Sequence, residues 1–145
     1  MAVDVVTEIV IEAPCERVAE YAGDPSNAPQ WYVNIESVEW HTDPPVAVGS
    51  RVAFVARFLG RRLEYTYEIV EPVSGERLVM RTADGPFPME TTYTWRPHGD
   101  TATHMTLRNR GEPRGFAQLS APMLAAAMKR ANRHDLANLK ALLER

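Results

Sequence analysis

The side chains in this 145-residue chain with acid–base or nucleophilic potential are four histidines, one cysteine and a scatter of tyrosines and carboxylates. Their spacing matches no compact catalytic signature. There is no G-x-S-x-G, no H-E-x-x-H, no phosphate-binding glycine loop and no Cys/His cluster with ligand spacing, so neither a metal nor a cofactor is expected. His41, His98, His104 and His134 are scattered along the chain. Strand phase turns His104 away from the face of Met105, and His98 falls in a turn, so surface positions are expected. Cys15 stands near a helix start, where a thiolate is stabilised, but without an evident partner base its expected role is packing.

What remains is a set of polar groups set among apolar strand residues. Tyr65, Tyr67 and Asn109 could anchor a ligand, and a tyrosine could serve as general acid toward an enolising substrate. Arg57 and Arg81 fall on the opposite, outer face, and Glu64 and Glu68 alternate with Tyr65 and Tyr67. No inward carboxylate or guanidinium is therefore expected, which ranks binding above catalysis. A site for a small hydrophobic molecule wants an apolar and aromatic wall with few polar groups. Trp31, Phe54, Phe58, Tyr65 and Tyr67 offer the first part of such a wall. Met80, Thr82, Met89, Thr91, Tyr93 and Trp95 continue it, and Met105 and Asn109 follow on the last strand. The C-terminal helix adds Met123, Ala127 and Met128. Each residue taken singly reads first as core; inward tyrosine, threonine and asparagine need partners that a ligand or water can supply.

The elements that must position these groups follow from periodicity. Residues 3–12 are β-branched and alternate, with Val5, Thr7, Ile9 and Ile11 on one face: a strand. Pro14 opens a short helix through Val18 to Tyr21, and Asp24 with Pro25 caps a second ending near Trp31. Six strands follow, separated by turn residues. They comprise residues 35–41, residues 51–59 with Val52, Phe54, Ala56 and Phe58 on one face, and a strand after a Gly60-Arg61 turn. Three more carry Leu78, Met80 and Thr82, then Thr91, Tyr93 and Trp95, then Thr103, Met105, Leu107 and Asn109. Residues 114–145 give the one long helical signal, with Met128, Asn132, Leu136, Leu139 and Leu143 on one face. Its N-terminal half carries Ala121, Ala125, Ala126 and Ala127. These either leave room beneath the helix or simply favour helix in solvent.

Strands segregated from one long helix predict an α+β domain, 1–145, in which about seven antiparallel strands curl around the helix. A net charge of −3 gives no electrostatic reason to expect nucleic acid or an anionic membrane as partner. No apolar run approaches transmembrane length, the N-terminus alternates charge rather than forming a signal peptide, and Cys15 is alone. A reducing, cytoplasmic location is the default expectation. Ala53 and Val55 on the outer face offer a contact for a homodimer, or are two incidental exposed residues.

Several segments together resemble the helix-grip superfamily, also called START-like, Bet v 1-like or SRPBCC, in its bacterial polyketide cyclase/dehydrase-like branch. The opening IEAPCERVAEYAGDPSNAPQW, with its Ala-Pro, Val18 and Trp31, is similar to that family's start. Gly49 and Gly60, the stretch GDTATHMTLRNRGEPRGF and the tail DLANLKALLER resemble its hairpins and C-terminus. The resemblance spans essentially the whole chain. It implies an apolar cavity between sheet and helix that takes a lipid, quinone, polyketide or sterol-like molecule. A minority of members catalyse cyclisation or dehydration, and others are interaction or assembly modules.

Overall fold

The structure, a computed structural model, describes residues 2–116 and 119–145. Strand β1 (Val3–Ile11) leads into helix α1 (Cys15–Ala22), a 3₁₀ turn (Pro25–Asn27) and helix α2 (Ala28–Trp31). The strands β2 (Ile35–Trp40), β3 (Arg51–Phe58), β4 (Arg61–Val73), β5 (Arg77–Asp84), β6 (Met89–His98) and β7 (Ala102–Gly111) follow, then helix α3 (Ala121–Leu143). All neighbours pair antiparallel in one sheet, β1-β7-β6-β5-β4-β3-β2. The expected helix-grip α+β architecture is the one observed: a curved sheet wrapped around the C-terminal helix.

Alternation places the faces as the sequence predicts. Val5, Thr7 and Ile11 are buried in β1 while Asp4, Val6 and Glu8 are exposed. Val52, Phe54 and Ala56 are buried in β3, and Thr91, Tyr93 and Trp95 in β6. The outer face carries cross-strand ion pairs, among them the solvent-exposed Arg51–Glu68, which contributes little stability, and Arg81–Glu90, whose carboxylate is half-buried. Register shifts between Thr66 and Tyr67 and between Ile69 and Glu71 interrupt the β4–β5 ladder. Such bulges bend a strand, which helps the sheet curl about α3 without inverting the inward set.

The β3–β4 turn is centred on Leu59-Gly60 rather than Gly60-Arg61. Both residues have positive φ, 51° and 77°, as a two-residue type I′ hairpin requires. Leucine adopts that conformation at the cost of a Cβ clash that asparagine tolerates better. Leu59→Asn is expected to raise stability by about 1 kcal/mol, read as a higher urea midpoint with an unchanged slope.

Helix α3 begins later than the sequence signal. Ser120 is its N-cap, with the Met123 N–H donating to Ser120 Oγ, and Pro122 stands in its first turn. Residues 112–116 are not helical, and Ala117 and Gln118 lie outside the described residues. The C-terminal half of α3 is fixed to the rest of the chain by long-range hydrogen bonds. Lys140 Nζ donates to the Val10 carbonyl (2.8 Å), the Glu12 N–H to Glu144 Oε2 (2.8 Å) and the Val33 N–H to Asp135 Oδ1 (2.9 Å). Among the described residues no helix is long and apolar enough to cross a membrane.

Candidate functional site

Two apolar clusters form the interior. The larger gathers α1, α2 and the C-terminal half of α3 around Trp31, Ile69, Met105 and Leu139. The smaller joins Val3, Val5 and Leu63 to Phe116, Leu124 and Met128. Tyr65 and Met89 touch both, and between the clusters lies a cavity of about 170 Å³. Bulky rings meet there at angles that do not close the space. Tyr65 lies 5.5 Å from Phe54 and 5.1 Å from Tyr67, centroid to centroid, and Phe116 stands 5.8 Å from Phe58 and 6.3 Å from Phe87. Pro86 lines the cavity and is exposed, so the β5–β6 loop marks an open end.

Of the residues expected at the wall, Phe54, Phe58, Tyr65, Tyr67, Met80 and Thr82 line the cavity. So do Met89, Thr91, Tyr93, Asn109 and Met128. Trp31, Trp95 and Met105 do not. They are packed solid where α1, α2 and the C-terminal half of α3 cover the far end of the sheet. Met123 is 56% exposed, because Leu124 takes the inward direction at that turn. Ala127 is half-buried and does not reach the cavity; the helix presents Leu124, Met128, Ala131, Asn132 and Asp135 instead. The open space therefore owes nothing to Ala121, Ala125, Ala126 or Ala127. On α3 the small residue at its wall is Ala131, and α1 and α2 add Ala22 and Ala28.

A chain of hydrogen bonds crosses the roof. Asn132 Nδ2 donates to Asn109 Oδ1 (2.8 Å), Asn109 Nδ2 donates to Thr91 Oγ1 (2.9 Å), and Thr91 and Tyr67 share a bond of 2.8 Å between their hydroxyls. This ties α3 to β7, β6 and β4 and fixes the rotamers of four wall residues. Burial pushes the Tyr67 phenol up to about 12, offset in part by Thr91. Asn109→Ala would leave Asn132 and Thr91 short of a partner in a mostly apolar setting. A loss of about 1–3 kcal/mol in urea denaturation is expected. An unchanged midpoint would mean that water already satisfies both groups.

The expectation that no carboxylate faces inward is overturned. Asp135 is only 2% exposed and lines the cavity, and its described hydrogen bond is the one from the Val33 N–H. Burial pushes its carboxyl up to about 7, against the opposing pull of that N–H. Around it stand Tyr32, Tyr65 and Tyr93, whose phenols are raised by burial and further by the negative charge of Asp135. The hydroxyls of Tyr32 and Tyr93 bond to each other, whereas Tyr65 makes no described side-chain hydrogen bond. Asp135 was legible in principle. It lies three residues after Asn132 and four before Leu139, both on the apolar face, so helical spacing alone places it inward. Tyr32 carries no such signal, since it follows the last residue of α2.

The other candidate groups stand apart from the cavity. Arg57 and Arg81 pair with Glu36 and Glu90 on the outer face. His41, His98 and His134 are exposed, and His104 lies on the outer face 3.5 Å from Glu8. Cys15 is half-buried with its thiol toward the Gly75 carbonyl; desolvation raises its pKa, so no stabilised thiolate forms at this helix start.

Comparison with solved structures finds the same fold at low sequence identity. Protein TTHA0849 from Thermus thermophilus is 24% identical, with a TM-score of 0.82 over 96% of this chain and 95% of that one. A START superfamily protein from Mycobacterium smegmatis aligns with a TM-score of 0.85 at 16% identity, covering 97% of each chain. The Zhui aromatase/cyclase from a Streptomyces species gives 0.81 at 17% identity, over 100% of this chain and 95% of its own. No curated protein matches the sequence. The family model described as polyketide cyclase / dehydrase and lipid transport matches residues 2–144, and the chain belongs to that family.

Proposed function

We propose that this protein binds a small hydrophobic molecule in the cavity between its sheet and α3. The observation that supports this most directly is a space of about 170 Å³ walled by Phe54, Tyr65, Met80, Met89 and Met128, with a few polar groups at fixed positions. Apolar voids of this order bind one-ring molecules, and methionine walls adapt to differing outlines. The volume favours a compact one- or two-ring ligand over a sterol or a full-length acyl chain. Native mass spectrometry of the purified protein, then of the protein exposed to quinones, polyaromatics and lipids, tests the reading. A bound mass released by organic solvent supports it; a chain that stays empty in every case contradicts it.

Asp135 favours a second reading, that the same cavity catalyses a cyclase- or dehydratase-like step. A carboxyl held near 7 exchanges its proton at neutral pH and suits general acid–base work. Tyr65, with no described side-chain hydrogen bond, would donate to a carbonyl that gains negative charge. Turnover of an enolisable polyketide analogue that is abolished in Asp135→Asn would support catalysis. Turnover unchanged in that variant would remove Asp135 from the reaction.

A further inference from the structure

The cavity's electrical character narrows the ligand further, in a step that rests on the binding reading above. Among the described residues lining it, Asp135 is the one side chain that ionises near neutral pH, and no lysine, arginine or histidine reaches the wall. Its carboxylate accepts the Val33 N–H at Oδ1, and Oδ2 has no described hydrogen bond. A buried carboxylate without a cation is costly, and chains normally pair such a group or leave it outside. Here it is kept inside, beside three tyrosines. Aromatic faces carry negative potential and attract a cation placed over them. An anionic ligand would meet a carboxylate and no neutralising group.

We infer that the cavity accepts a small hydrophobic amine, its ammonium group seated on the Asp135 carboxylate within the cluster of Tyr32, Tyr65 and Tyr93. The ammonium supplies the missing counter-charge, and the hydrocarbon body fills the space toward Phe54, Met80 and Phe58. Hydrophobic carboxylic acids are excluded by the same arrangement. Binding is linked to protons. Burial holds the empty site's carboxyl near 7, so below that pH an amine must displace a proton from Asp135. Amine affinity therefore rises with pH up to about 7 and then levels. The charge of Asp135 acts on Tyr32 after α2, Tyr65 of β4 and Tyr93 of β6, and Tyr67 of β4, Asn109 of β7 and Asn132 on its own helix line the same cavity. The tyrosines are raised by burial, so none of these groups titrates in that range.

The test uses the neutral two-ring fluorophore prodan as reporter and three competitors with one body: 1-naphthylmethylamine, 1-naphthalenemethanol and 1-naphthoic acid. At pH 7.5 the amine is expected to displace the reporter at about a tenfold lower concentration than either other compound. That advantage should shrink several-fold at pH 5.5 and vanish in Asp135→Asn, while the alcohol's affinity stays within about threefold. An acid or alcohol that competes as well as the amine overturns the inference, as does an amine advantage that survives in Asp135→Asn. In those cases the reporter still binds and the hydrophobic cavity stands. If the reporter itself shows no saturable binding, both the cavity reading and the amine inference fail.

Discussion

Replacing Asp135 with asparagine is expected to stabilise this protein at pH 8 by about 2–4 kcal/mol, and at pH 4.5 by only about 1 kcal/mol. In the folded chain the carboxyl keeps its proton until about pH 7, whereas in the unfolded chain it ionises near the ordinary aspartate value of about 3.9. Between those limits the folded state holds the extra proton, so this group's contribution falls as pH rises. Above about 7 the loss is complete, and the span corresponds to about 4 kcal/mol. Asparagine fills the same volume, still accepts the Val33 N–H and carries no charge. Asp4, Glu90 and Glu144 act in the opposite sense, held below the usual carboxylate range by Arg108, by Arg81 and by the Glu12 N–H. The quantity to read is therefore the difference between variant and parent in urea denaturation at the two pH values. Parallel profiles, or a variant less stable at pH 8, would show that the carboxylate has a partner that compensates its burial. A stabilising change at a cavity residue is what a functional site leads one to expect, since such sites keep groups that the fold alone would not choose.

The second large effect is expected from Ala131→Trp. Ala131 lines the cavity from α3, so an indole there projects into open space rather than into packed neighbours. Binding of any hydrophobic ligand should weaken by at least about tenfold, with stability changed by less than about 1 kcal/mol. A filled interior would respond otherwise, with a loss of about 1–3 kcal/mol from overpacking. The corresponding change at Ala127, half-buried outside the cavity, should leave ligand affinity untouched.

The fold was legible because β1, β3, β6 and β7 alternate over most of their length and turn residues separate the strands. The inward sets of β3, β6 and β7 came straight from a period of two, and the two bulges in β4–β5 did not displace Tyr65, Tyr67 or Met80. The site was legible only in part. Periodicity tells which face of an element is inward, not whether that face meets packed atoms or space. Trp31, Trp95 and Met105 are inward, yet α1, α2 and the end of α3 fill the volume above them. Phe87 and Phe116 came from segments with no period to read, and Tyr32 from the residue after a four-residue helix. Asp135 was left off the inward face of the C-terminal helix, which was read from Met128, Asn132, Leu136, Leu139 and Leu143 alone. Its spacing from Asn132 and Leu139 said otherwise.

The central claim, that a small hydrophobic molecule occupies the space between sheet and helix, is tested most directly by nuclear magnetic resonance of methyl-labelled methionine. Met80, Met89 and Met128 line the cavity, Met105 is sealed in the core and Met123 is exposed on the helix's outer side. On titration with naphthalene, the account predicts saturable shifts of Met80, Met89 and Met128, while Met105 and Met123 stay in place; Ala131→Trp should abolish the response. Shifts confined to Met123, or no saturable shift at the three cavity methyl groups, would contradict it.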